Sequence, residues 1–102
     1  MDYLPIFLDI KNRPCAVIGG NEQAFNKSQI LQSAGCQLTV IAIELCGHFQ
    51  SQVETHQITY VNKPFHPEML DVFELVIVAS DDENLKKTVV DAANERKIPI
   101  NV

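Results

Sequence analysis

The chain has 102 residues, 46% of them hydrophobic, which is enough for one buried core and too little for two, so a single domain is expected. Its charged fraction of 21% is that of an ordinary soluble fold, and no apolar run approaches the ~20 residues a membrane span requires. A formal net charge of −5 argues against nucleic acid as a partner, because phosphate neutralisation needs clustered Lys and Arg. Met1-Asp2 opens without a basic, apolar leader, and Cys15, Cys36 and Cys46 are odd in number with no C-x-x-C spacing. A cytoplasmic location, reduced thiols and no metal site are the expectations.

Apolar strand-like runs alternate with helical patterns along the chain. Ile6–Ile10 reads as an opening strand and Lys11-Asn12-Arg13 as a turn into a strand at Cys15–Ile18. From Glu22 the period changes: Ala24, Ile30, Leu31 and Ala34 are read as one helix face, with Gly35 ending the helix. Gln37–Ala42 is the second strand, Glu44–Val53 a crossover helix interrupted by Gly47, and Ile58–Val61 the third strand. Pro64 and Pro67 make Lys63–Met69 a loop opening a short helical turn. Leu75–Ala79 is the most apolar strand, as suits one covered on both faces. Ser80-Asp81-Asp82 caps a helix from Glu83 to about Arg96, and Ile98–Val102 is the last strand. Right-handed crossovers favour an α/β, Rossmann-like doubly wound parallel sheet in the order 3-2-1-4-5, with helices on both faces.

The most informative stretch is Pro14–Gly35. A strand runs through Gly19-Gly20-Asn21 into a helix, whose first amides, at Glu22 and Gln23, would face a phosphate with the positive end of the helix dipole behind them. Written as G-x-G-x-x-A, the motif places Asn21 at the second glycine, where a side chain occupies room a pyrophosphate would use. Asn is the mildest replacement if the position needs positive φ. Gln23 puts an amide where the helix is expected to meet the sheet. The acid that usually follows about 20 residues on, at the end of the second strand, is replaced by Ile41-Ala42-Ile43, with Glu44 coming late. A tight glycine turn with no ligand is the alternative reading.

In such a sheet ligands lie beyond the carboxyl ends of the strands, where strand order reverses. Gly19-Gly20-Asn21, Ala79-Ser80-Asp81-Asp82 and Asn101-Val102 should meet there. Asp81 and Asp82 suit either a carboxylate pair or a helix cap. His48, His56 and His66 lack ligand spacing, and Lys86-Lys87 suits either attraction of a substrate's carboxylates or, as the default, a solvated helix face.

Several separated segments together resemble the amino-terminal NAD-binding domain of the siroheme synthase family, also called precorrin-2 dehydrogenase/sirohydrochlorin ferrochelatase. They are the opening Met1–Asp9, Val17-Ile18-Gly19-Gly20, Ala24 and Lys27, Ala34-Gly35, Pro64-Phe65, Ala79-Ser80-Asp81-Asp82 and Ile98–Val102. The likeness runs from Met1 to Val102 and implies NAD as cofactor, the tetrapyrrole precorrin-2 as substrate, and its oxidation to sirohydrochlorin, followed in many members by insertion of ferrous iron. It implies that Gly19, Gly20 and Asn21, with Glu22 and Gln23 opening the helix, hold the pyrophosphate. Ile41 and Ala42 would border the adenosine, and Ser80, Asp81 and Asn101 the nicotinamide half. It further implies a homodimer and a catalytic aspartate just past Val102, so residues 1–102 would be a cofactor domain ending before the dimerisation and catalytic segment, with no catalytic residue of its own. The family's Gly-Gly-Gly-x-Val-Ala-x-Arg-Lys is here Gly19-Gly20-Asn21-Glu22-Gln23-Ala24-Phe25-Asn26-Lys27, and Lys86 stands where asparagine is common. Asn21, Gln23 and Asn26 motivate the alternative, a stand-alone nucleotide-binding or interaction module without activity. Because precorrin-2 is strongly anionic and this chain is acidic, the basic groups for it are expected outside the domain.

Overall fold

A computed structural model describes residues 8–102. The five strands β1 (Pro14–Ile18), β2 (Gln37–Ile41), β3 (Thr59–Val61), β4 (Leu75–Val78) and β5 (Ile100–Asn101) form one parallel sheet in the order β3-β2-β1-β4-β5. Three helices, α1 (Glu22–Ser33), α2 (Gly47–Glu54) and α3 (Glu83–Glu95), make the crossovers, with a 3-10 helix at Pro67–Val72 preceding β4. Of the expected opening strand, Leu8–Ile10 is irregular and the remainder lies outside the described residues.

Side-chain alternation along the central strands divides the core in two. Cys15 and Val17 of β1, Leu38 and Val40 of β2 and Ile77 of β4 pack with Ala24 and Leu31 of α1 and Phe49 of α2. Ala16, Ile18, Ile41, Val76 and Val78 face the other way, against Leu70 and against Val89, Ala92 and Ala93 of α3. Both faces being covered explains why β1 and β4 are continuous apolar runs rather than alternating ones.

The expected apolar face of α1 needs correction. Ala24, Ser28 and Leu31 are its buried positions, whereas Ile30 is 75% exposed and Ala34 is also on the surface. Steps of four and three residues keep Ala24, Ser28 and Leu31 on one side, while Ile30 falls well off that line. The buried Ser28 hydroxyl donates to Phe25 O at 2.7 Å, so its polar group is satisfied inside the helix. Gln23, expected where the helix meets the sheet, is exposed instead, so its amide is not buried.

The helix that follows β2 begins at Gly47, later than Glu44, because residues 42–46 form a loop tied to the glycine turn. Cys46 N donates to Gly20 O at 2.8 Å, and the Tyr60 hydroxyl sits 3.0 Å from Ala42 O and 3.1 Å from Ile43 O. β5 is shorter than the five residues foreseen, since Ile98 N is taken by Ala93 O at the end of α3.

Candidate functional site

The chain runs out along β3 at the sheet edge and returns as β4 beside β1, so strand order reverses between β1 and β4. The Gly19-Gly20 turn stands at the carboxyl end of β1. Its glycines are required by the protein itself: Gly19 has φ +130°, and a Cβ there would overlap Ala79 O, while a Cβ at Gly20 would overlap Glu44 O. The turn is therefore wedged between the ends of β4 and β2. Ala79 N donates to Ile18 O at 3.0 Å and Gly19 N to Ile41 O at 3.0 Å, completing the wedge.

Asn21 has φ −82° and ψ 178°, an extended conformation open to any residue, so positive φ does not explain its presence. It is the N-cap of α1: its Oδ1 accepts from Ala24 N at 2.8 Å. The side chain thus folds back onto its own helix, and the amides of Glu22 and Gln23 remain as first-turn donors without an acceptor among the described residues. The carboxylate of Glu22 is drawn aside by His48, whose Nδ1 lies 2.9 Å away and whose ring stacks on Phe25 at 4.9 Å.

Two clefts flank the wedge. The first, about 400 Å³, runs along the carboxyl ends of β1 and β2, walled by Ile18, Ile41, Ala42 and Ile43, with Gly19 and Gly20 as its floor. Phe65 and Leu85, which pack in the same core layer as Ile18 and Ile41, close it, and Glu44, Lys63 and Pro64 stand on it as well. A mostly apolar slot of this size with few polar groups suits a purine nucleoside. The second cleft, about 220 Å³ and polar, lies at the end of β4 between α1 and α3 and includes Gln23, Ser80, Asp81 and Val102.

The sequence-predicted residues divide between these places. Gly19, Gly20, Ile41 and Ala42 share the apolar cleft, and Gln23, Ser80 and Asp81 the polar one. Asn21 and Glu22 border a separate cleft of about 390 Å³ beside Glu44 and Cys46. Asn101 joins the polar side through its Oδ1, 3.4 Å from Lys27 Nζ. The acid pair is split: Asp82 caps α3, accepting from Asn84 N at 3.0 Å and Leu85 N at 3.1 Å, while Asp81 remains on the polar cleft. Among the described residues no group of three or more His, Cys, Asp or Glu side chains is placed to hold a metal ion. Ile43, Glu44, Lys63, Phe65 and Leu85 were absent from the expected site. Pro64-Phe65 was the available signal, but nothing local indicates that a loop after the edge strand β3 folds back over β1.

A parallel 3-2-1-4-5 sheet, with a glycine turn and an apolar cleft at its point of reversal, defines a dinucleotide-binding domain of Rossmann type. The cleft and the unpaired first-turn amides fit such a cofactor, and no side chain of the glycine turn blocks the approach. Comparison with known proteins gives the family. The family described as putative NAD(P)-binding matches residues 6–102, and this chain belongs to it. Over all 102 residues the chain is 40% identical to siroheme synthase 1 of Pectobacterium atrosepticum and 41% identical to the siroheme synthases of Photobacterium profundum and Thiobacillus denitrificans. It spans only about a fifth of their length, 21%, 22% and 21% respectively. Among solved structures, SirC, a precorrin-2 dehydrogenase, superposes with a TM-score of 0.83 over 98% of this chain and 49% of that one, at 23% identity, a likeness of fold. Among the described residues no helix is long and apolar enough to cross a membrane.

Proposed function

We propose that residues 1–102 are the NAD-binding domain of a cytoplasmic, homodimeric siroheme-forming enzyme that oxidises precorrin-2 to sirohydrochlorin, with iron insertion carried out by the same full-length protein. The observation that carries this is the match to siroheme synthases across every residue of the chain, at 38–41% identity. The domain's part is to hold and orient the dinucleotide. When bound, the nicotinamide supplies a two-electron acceptor that takes up a hydride from the tetrapyrrole.

In this reading Ile41, Ala42 and Ile43 border the adenosine, with Phe65 and Leu85 enclosing it. The amides of Glu22 and Gln23, and the backbone of Gly19-Gly20-Asn21, receive the pyrophosphate at the positive end of α1. Ser80, Asp81 and Asn101 lie toward the nicotinamide half. The base or acid of the reaction comes from the aspartate the family carries just beyond Val102.

NAD is preferred to NADP in this proposal. Glu44 on the adenosine cleft accepts hydrogen bonds from ribose hydroxyls and repels a 2′-phosphate, a role met late in sequence because the loop after β2 brings it back to Gly20. Lys63 stands on the same cleft, which makes the preference a measurable balance rather than an absolute exclusion. Parallel calorimetric titrations with NAD and NADP test this. Tighter binding of NAD, lost on Glu44→Gln, is expected; equal or tighter binding of NADP contradicts it.

A further inference from the structure

Two cations from different helices converge on the polar cleft at the end of β4. Lys27 reaches it from the second turn of α1, and Lys86 from the first turn of α3. Their surroundings set them apart from ordinary surface lysines. The Lys86 side chain is only 25% exposed, and its partner Glu83, at 2.8 Å, is 83% exposed, so the ion pair is held from the solvent side and is readily exchanged. Lys27 pairs with no carboxylate among the described residues and has the neutral Asn101 Oδ1 at 3.4 Å as its partner. The Ser80 hydroxyl and Gln23 amide add neutral donors, and Asp81 is the one acidic side chain on the cleft wall among the described residues.

The neighbouring Lys87 shows that this is not a general basic surface. It is 77% exposed, ion-paired to Asp91 at 2.9 Å, and has no place on the cleft. The Lys86-Lys87 pair is thus divided by the helix turn into one inward and one outward cation, and reading both as a solvated face is correct for Lys87 alone.

The polar cleft lies across the Gly19 wedge from the adenosine cleft, so a dinucleotide laid over the wedge presents its nicotinamide there. A substrate that yields a hydride must approach from the same side. Building on the dehydrogenase assignment above, we propose that Lys27 and Lys86 form a carboxylate-binding site that anchors an acidic side chain of a tetrapyrrole polycarboxylate at the nicotinamide end. Two ammonium groups flanking one cleft match a carboxylate flanked from both sides, and a hydroxyl and an amide remain for its second oxygen. The domain then supplies part of the basic recognition that its net charge of −5 conceals.

Uroporphyrin, a stable fluorescent tetrapyrrole with carboxylates on every ring, is the probe, with its fully esterified methyl form as the uncharged control. Fluorescence titrations of the chain should show uroporphyrin binding that weakens with salt, is absent for the ester, and falls about tenfold in each of Lys27→Gln and Lys86→Asn, the size of losing one charge-assisted bond. Lys87→Asn should bind as the unmodified chain does. Circular dichroism confirms that each variant is folded. The proposal is overturned if the unmodified chain does not bind uroporphyrin, if the two cleft variants bind it normally, or if Lys87→Asn loses as much as they do. It is also overturned if the cleft variants weaken NADH and spare uroporphyrin, which would assign the lysines to the cofactor's phosphates. An NADH titration of the unmodified chain separates the two levels: no NADH binding refutes the cofactor assignment, whereas lysine-dependent uroporphyrin binding is scored independently of it.

Discussion

At the scale of single residues, Asn21 decides which amides the first turn of α1 leaves open. Its Oδ1 satisfies the amide of Ala24 at 2.8 Å, so one first-turn donor of α1 is already occupied and those of Glu22 and Gln23 are left. Removing the cap by Asn21→Ala should cost about 1 kcal/mol of stability, and Asn21→Gly only a few tenths, since glycine is itself an acceptable cap. The two variants should separate stability from binding: Asn21→Gly frees the Ala24 amide as a further donor to the pyrophosphate, and its NAD affinity should rise by several-fold. Urea titration reads the first effect and calorimetry the second. The residue type at this position was legible in the sequence but its role was not, because a glycine-motif position and an N-cap coincide, and only the backbone angle tells them apart. The same holds for Asp82, where the capping alternative is the one realised.

At the scale of elements, α1 is held by a narrow stripe rather than by its most hydrophobic residues. Leu31 is 5% exposed and Ile30 75%, although the two are adjacent and chemically alike. Leu31→Ala should therefore destabilise by about 2 to 5 kcal/mol. Ile30→Lys should change stability by no more than about 0.5 kcal/mol, as expected for a surface site. Thermal or urea unfolding of the pair distinguishes this packing from the broader face suggested by apolar content alone. The strands, the helices and the 3-2-1-4-5 order were legible because βαβ alternation and right-handed crossover leave few arrangements. Boundaries were less so where tertiary bonds intervene: α2 starts late because Cys46 N is bound to Gly20 O, and β5 is short because Ile98 N is bound to α3. The loop carrying Lys63, Pro64 and Phe65 onto the cleft was not foreseen, since no local pattern specifies which surface a loop covers.

At the scale of the whole molecule, the core also governs the response to alkali. Burial pushes the Cys15 thiol from 9.0 up to about 12, with Cys36 beside it and the charge of Glu74 acting in the same direction. Burial likewise raises Cys36. An unfolded chain releases these protons at lower pH than the folded one. The stability they provide is therefore fully present below about pH 9 and declines as pH rises toward about 12. The urea midpoint should fall across that window, and Cys15→Ala, though less stable at neutral pH, should show a smaller fall. The far end of the sheet is where this chemistry sits; the carboxyl end is where the cofactor is proposed to bind. Fold and function meet there in the proposed binding mode, a nicotinamide dinucleotide laid across the Gly19 wedge with its adenosine on the apolar side. Titrating NADH into the isotope-labelled chain while following amide resonances tests it most directly. The account predicts saturable shifts concentrated at Gly19, Gly20, Glu22, Gln23, Ala42 and Ile43, with weaker ones at Ser80 and Asp81; unshifted spectra, or shifts clustered at the opposite end of the strands around Cys15 and Cys36, would contradict it.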